Sequence, residues 1–222
     1  MNRPLALVYR GPATVDGCPE AVAEFLRESP WEFDVRYVGP RERIPLGQSA
    51  LDTATLYAQP GGGTLKKAFK HLRKHSEDVR SFVRGGGRYL GFCLGGYLAG
   101  ATPGFDLLPG DTDQYIGSDD AELDTDGNAL IDVRWRGRRR TLFFQDGPYF
   151  WLREGAEADV VATYRNGLIA ALAVPFGAGR VGVAGPHPEA TEDWFTDAGL
   201  AVPAPGQTAA HELVDAVMAS GR

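Results

Sequence analysis

In its first half the chain alternates short apolar runs with helical patterns, and this alternation narrows the choice of fold more than any other feature. The runs cover residues 5–9, 33–38, 55–59 and 88–92, with helical stretches predicted over about 19–27 and 65–84 between them. In the second stretch Val79, Phe82 and Val83 fall on one face. Strands that alternate with helices build a parallel sheet through right-handed crossovers, so an α/β, doubly wound parallel sheet is expected. Pro60-Gly61-Gly62-Gly63 and Gly85-Gly86-Gly87 punctuate the pattern.

Beyond Gly104 the pattern changes. Residues 130–135, 141–145, 159–164 and 168–175 read as strands joined by short turns such as Asp126-Gly127-Asn128, so antiparallel hairpins are added in the second half. A strand over 180–184 leads into Gly185-Pro186-His187-Pro188-Glu189. Helices follow near 191–198 and 209–219, with Pro203 and Pro205 in the connection. At 222 residues and roughly 150 residues per domain, the expectation is a single domain spanning 1–222.

Composition excludes several classes. With 23 Lys and Arg against 29 Asp and Glu, the net charge of −6 argues against a generally basic nucleic-acid binder. No apolar run reaches the roughly 18 residues of a membrane span, and the opening apolar stretch is too short for a signal-peptide core, so no membrane association and a cytoplasmic location are expected. Cys18 and Cys93 are the two cysteines, which fits neither a disulfide scaffold nor a zinc cluster. Glu122 to Gly127 resembles the start of a calcium loop, but the twelfth position is Val133, so a turn is preferred. No metal and no cofactor are expected. Arg136, Arg138, Arg139 and Arg140 surround Gly137 in an expected solvated hairpin tip.

The segment richest in chemistry is Gly91-Phe92-Cys93-Leu94-Gly95, where an apolar strand passes straight into a helical pattern. This is the strand–turn–helix setting of a nucleophile elbow. A tight turn there puts Cys93 in a strained backbone conformation, and side chains at Gly91 or Gly95 would collide with it. Of the four histidines, His71 and His75 lie in a basic helical stretch and His211 opens the last helix. His187 differs, because it follows a glycine at a strand end, where α/β sites gather. Glu189, two residues on, can accept from the imidazole and fix its tautomer. Pro60 to Gly63 offers backbone without side chains, so an amide there, with that of Leu94, can bind an oxyanion. A plain turn is the competing reading.

Gly91-Phe92-Cys93-Leu94-Gly95, Pro60-Gly61-Gly62 and His187-Pro188-Glu189, in that order, resemble the class I glutamine amidotransferase superfamily. Leu7 to Pro12, Gly86 to Cys93 with Tyr97, and Gly185 to Glu189 more closely resemble the domain at the N-terminus of eukaryotic biotin-protein ligases and in free-standing bacterial proteins. The resemblance spans about residues 4–190. It implies a flavodoxin-like fold with Cys93 as nucleophile, His187 as base, Glu189 as its partner and an oxyanion hole from Leu94 and Gly62. It also implies a substrate pocket involving Gly61, Tyr97, Gln145 and Tyr149, since the related domain has a glycine-rich segment with an aromatic at the last two positions. The chain departs from glutamine-using members at Tyr97, where those carry a glutamine four residues after the cysteine. Neither an acceptor-activating domain nor a biotin ligase catalytic domain is expected within these 222 residues.

Two functions follow as expectations. One is a thiol-dependent amidase or amidotransferase-like hydrolase acting on a small amide or ester through an acyl-enzyme. The other is a non-catalytic ligand-binding or regulatory module, or a glutaminase subunit active only with a partner synthetase. The partners expected are a small-molecule substrate and a separate synthetase or acceptor subunit; a homodimer is compatible with the sequence.

Overall fold

The computed structural model describes residues 3–203 and 207–219; Pro205 lies outside them. The helices are α1 (Cys18–Glu28), α2 (Gln48–Leu51), α3 (Leu65–Leu72), α4 (Ser76–Arg84), α5 (Leu94–Ala99), α6 (Glu192–Asp197) and α7 (Gln207–Met218). The strands are β1 (Leu5–Tyr9), β2 (Asp34–Val38), β3 (Leu56–Gln59), β4 (Arg88–Phe92), β5 (Gly110–Gln114), β6 (Ala129–Trp135), β7 (Arg138–Phe144), β8 (Pro148–Leu152), β9 (Asp159–Tyr164), β10 (Ile169–Phe176) and β11 (Gly179–Ala184).

One sheet runs in the order β2-β1-β3-β4-β11-β10-β9-β6-β7. The first five of these strands are parallel and the rest pair antiparallel. This mixed α/β architecture, parallel and then antiparallel, is consistent with a flavodoxin-like fold. Along β1, Ala6 and Val8 enter one apolar cluster with α1 and α7, and Leu7 and Tyr9 enter another with α3, α4 and α5. Period-two alternation therefore feeds a core on each face of the sheet. Two parallel neighbours carry the site, because β4 and β11 lie side by side with Phe92 opposite Ala184. Their C-terminal ends release Cys93 and the segment around His187 at the same edge.

Three expectations about local structure change. The predicted helix over 65–84 divides into α3 and α4 across a turn at Arg73–His75. Arg138, Arg139 and Arg140 belong to β7, which leaves Arg136 and Gly137, with φ of 48° and 79°, as the hairpin tip. Those arginines are held by acids: Arg136 pairs with Asp159 at 2.5 Å, and Arg139 with Asp132. Asp126-Gly127-Asn128 joins no hairpin and ends the loop that leads into β6.

Strands β5 and β8 were not legible in the sequence. They pair with each other, and β8 also meets β10. Asp111 and Asp113 disguise β5, since Asp is depleted in strands. The antiparallel half curls far enough for Phe143 of β7 to pair with His187, whose amide donates to the Phe143 carbonyl at 2.9 Å.

Helix α5 approaches β3 without an intervening side chain. A Cβ at Gly95 would run into the carbonyl oxygen of Gln59, and one at Gly91 into the carbonyl of Gly95. Tyr89 donates to that same Gly95 carbonyl at 2.7 Å. The Gly95→Ala substitution is expected to cost roughly 1–3 kcal/mol, as overpacking against fixed backbone does, measured as a lowered urea midpoint with an unchanged slope.

Candidate active site

Cys93 caps the start of α5 with φ 47° and ψ −105°, a conformation that L-residues rarely adopt. Its amide donates to the Ala184 carbonyl at 2.8 Å and its carbonyl accepts from Tyr97 at 3.0 Å, so both neighbouring elements hold the strained residue. The sulfur lies 3.4 Å from the Gln145 carbonyl, and 8% of the residue is exposed.

His187 and Glu189 are both 3% exposed, and Nδ1 of the imidazole lies 2.8 Å from Oε1 of Glu189. Among the described residues Glu189 Oε2 has no hydrogen-bond partner. Burial alone would lower the pKa of His187, but the charges and hydrogen bonds of Glu189 and Cys93 outweigh it and push it up to about 10. Nδ1 thus faces the Glu189 carboxylate, and Cys93 is the second group that raises the imidazole pKa.

The glycines after β3 have distinct roles. A Cβ at Gly61 would sit 2.6 Å from Cε1 of His187, so this glycine makes room for the imidazole. Thr14 fixes it by donating to its carbonyl at 2.7 Å. Gly62 has φ 93°, and a side chain there would strike Val15. The buried amide of Gln59 ties this loop to the one after β1, accepting from Tyr57 at 2.8 Å and donating to the Ala13 carbonyl at 2.9 Å.

A cleft of about 500 Å³ opens over Cys93, bordered by Gly62, Leu94, Tyr97, Gln145 and Asp146 among others. Tyr97 lies across its base and donates to the Asp146 carbonyl at 3.2 Å. A smaller recess of about 260 Å³ continues past His187, Gly62 and Gln145 to Trp194. Two expected pocket residues are placed otherwise. Gly61 lies under the imidazole and lines neither cavity, and Tyr149 is on the face of β8 opposite Pro148 and Phe150, which pack on Gly96 of α5. The alternation of β8 decides this, and β8 was not predicted.

Sequence reasoning missed Phe143 and Trp194, whose rings meet His187 edge-on at 6.0 and 5.2 Å. Trp194 follows His187 closely enough to have been a signal; Phe143 reaches the site only through the curl of the sheet. His71 is exposed on α3, and His75 lies 3.5 Å from Asp78, both apart from the site. Among the described residues no three His, Cys, Asp or Glu side chains are grouped to hold a metal, and no helix is long and apolar enough to cross a membrane.

This fold is shared with solved structures of low identity. A glutamine amidotransferase is 20% identical, with 88% of this chain and 100% of that chain covered and a TM-score of 0.62. A ThuA-like protein from Bacteroides uniformis is 10% identical, with 97% and 91% covered and a TM-score of 0.57. The cytoplasmic protein STM3548 from Salmonella typhimurium is 14% identical, with 95% and 98% covered and a TM-score of 0.54. No curated protein matches the chain. The class is therefore that of glutamine amidotransferase-like folds. Within it, residues 5–114 match the family model described as the N-terminal domain of biotin-protein ligase.

Two outcomes are expected. Burial, with the charges of Glu189, Cys93 and Glu20 added, pushes the Cys18 thiol well up, so iodoacetamide should label Cys93 before Cys18 across pH 6–9, read by peptide mass. For His187, the raised folded value means that the proton's contribution to stability is complete below about pH 6.5 and is lost as pH rises toward about 10. Imidazole ¹⁵N shifts should show one ring still doubly protonated at about pH 8. In Glu189→Gln, where burial dominates, that ring should be neutral at the same pH.

Proposed function

We propose that the chain is a cysteine-nucleophile hydrolase of the amidotransferase type, acting on a small amide or ester through an acyl-enzyme on Cys93. The observation that carries this reading is the meeting, at the ends of two adjacent parallel strands, of a cysteine in strained backbone with a buried imidazole–carboxylate pair. A structural cysteine has no use for that strain, and a buried charged pair is costly unless it serves a purpose.

In this reading the His187 imidazole already holds the proton of the Cys93 thiol, and the thiolate attacks the substrate carbonyl carbon. The backbone N–H groups of Leu94 and Gly62, on the same cleft wall as the sulfur, hold the oxyanion. His187 then gives its proton to the departing amine or alcohol, leaving a thioester. Water, deprotonated by His187, attacks the thioester and frees the acid and the thiol. Glu189 holds the imidazole and balances its charge throughout. The doubly wound description of the sheet belongs to the same reading.

Tyr97 argues against free glutamine as the substrate. A phenol offers one hydroxyl in place of an amide's donor and acceptor, and here that hydroxyl is engaged by the Asp146 carbonyl.

Incubation with a panel of small amides and esters should give an acyl adduct on the wild-type protein by intact mass, absent in Cys93→Ala. Turnover of a responsive substrate should fall by about 10³-fold or more in Cys93→Ala and in His187→Ala. Ammonia release from L-glutamine by the isolated chain should stay below about 1 s⁻¹. Faster release, abolished in Cys93→Ala, would restore a simple glutaminase.

A further inference from the structure

The cavities beside Cys93 and His187 have a charge that acyl transfer by itself does not demand. Asp113, Asp126 and Asp146 border the cleft over Cys93, and Asp16 and Asp197 border the recess beside His187. Among the described residues no lysine or arginine lines either cavity. Elsewhere the chain pairs its acids readily, as in Arg10 with Glu42 at 2.8 Å, Arg80 with Asp106 at 2.9 Å and Arg136 with Asp159. Among the described residues, none of the five aspartates at the site forms such a pair.

Their protein partners are neutral. Asp113 accepts from the Gln114 amide at 2.7 Å, and Asp146 from the Gln114 side chain at 2.7 Å. Asp146 is held above the usual carboxylate range, by burial first and then, against the Gln114 hydrogen bond, by the charge of Asp126. Like charges gathered in a partly enclosed cleft focus a negative potential there, and the cost of gathering them falls when a cation arrives. The aromatic side of the recess suits an organic cation, with Trp194 and Phe143 edge-on at 5.4 Å. A shared metal ion does not fit, because these carboxylates are too dispersed to supply three ligands to one centre. The α-carboxylate of an amino-acid substrate would meet no lysine or arginine among the described lining residues, and the His187 imidazolium in the recess is already paired with Glu189.

We propose that the substrate acylating Cys93 is cationic: a small amide or ester bearing an ammonium or guanidinium group, seated against Asp113, Asp126 and Asp146. The proposal rests on the acyl-enzyme reading of the same site. It adds that charge complementarity selects the substrate.

Two measurements keep the readings apart. The first needs no turnover. Methanethiosulfonates with a trimethylammonium or a sulfonate tail modify Cys93 of the full chain, followed by peptide mass, with each rate divided by that of the same reagent on free 2-mercaptoethanol. The normalised cation-to-anion ratio should be roughly tenfold or more at low salt. It should fall as ionic strength rises from about 0.01 to about 1 M, over which the Debye length shrinks from about 30 to about 3 Å. It should collapse toward one in Asp113→Asn/Asp146→Asn, and persist in Glu77→Gln on α4. If the double variant does not fold, Asp126→Asn alone should lower the ratio. A ratio near one in the wild type, or one that none of these aspartate variants lowers, overturns the proposal.

The second measurement compares p-nitrophenyl esters of aminohexanoic, hexanoic and adipic acids as acyl donors to Cys93. Fastest acylation by the aminohexanoyl ester supports the proposal. Equal or faster acylation by the other two overturns it while leaving the acyl-enzyme standing. A charge bias in the first measurement with no acylation by any ester overturns the acyl-enzyme reading, and the cationic substrate with it.

Discussion

The backbone of Cys93 is the constraint on which the rest of the site depends. Its positive φ costs on the order of 1–3 kcal/mol, and the surroundings must hold it in place. They do so through closeness: β11 accepts its amide hydrogen bond, α5 begins on its carbonyl, and α5 lies so near β3 that neither Gly91 nor Gly95 admits a side chain. Tyr89 and Gln59 complete the restraint with buried hydrogen bonds on either side. The residue so held borders the cleft.

A second restraint comes from the far end of the sheet. His187 follows β11, a neighbour of β4, but its amide is held by Phe143 of β7, the last strand in the sheet order. The antiparallel half is therefore more than an extension, since its curl reaches the site and supplies the Phe143 ring beside the imidazole. Glu189 is buried beside it with one oxygen engaged by Nδ1 of the imidazole. Strain at one residue and charge at another are held by different halves of the same sheet.

Much of this was legible in the sequence, for identifiable reasons. The four parallel strands of the first half and β11 follow from apolar runs bounded by glycine, which need no tertiary context to be read. The elbow was legible because Gly-x-Cys-x-Gly between a strand and a helix has a steric meaning of its own. His187 and Glu189 were legible as a pair because two residues at a strand end can face each other without help from elsewhere. By contrast, β5 and β8 are rich in Asp or begin at Pro, residues that argue against strands locally and are tolerated because their partners supply the ladder. With β8 unseen, the face on which Tyr149 falls could not be read either.

The sequence by itself determined the parallel strands, the elbow and the identity of the cysteine, histidine and glutamate near it, because each rests on short-range sterics and periodicity. Only the tertiary structure decided that Gly61 lies against the imidazole, that Phe143 anchors His187, and that five aspartates with no ion pair among the described residues, from separate loops and strands, border the two cavities. The physical reason is distance along the chain. Charge at a point in space sums over residues far apart in sequence, and no local pattern records which of them the curl of a sheet will bring together.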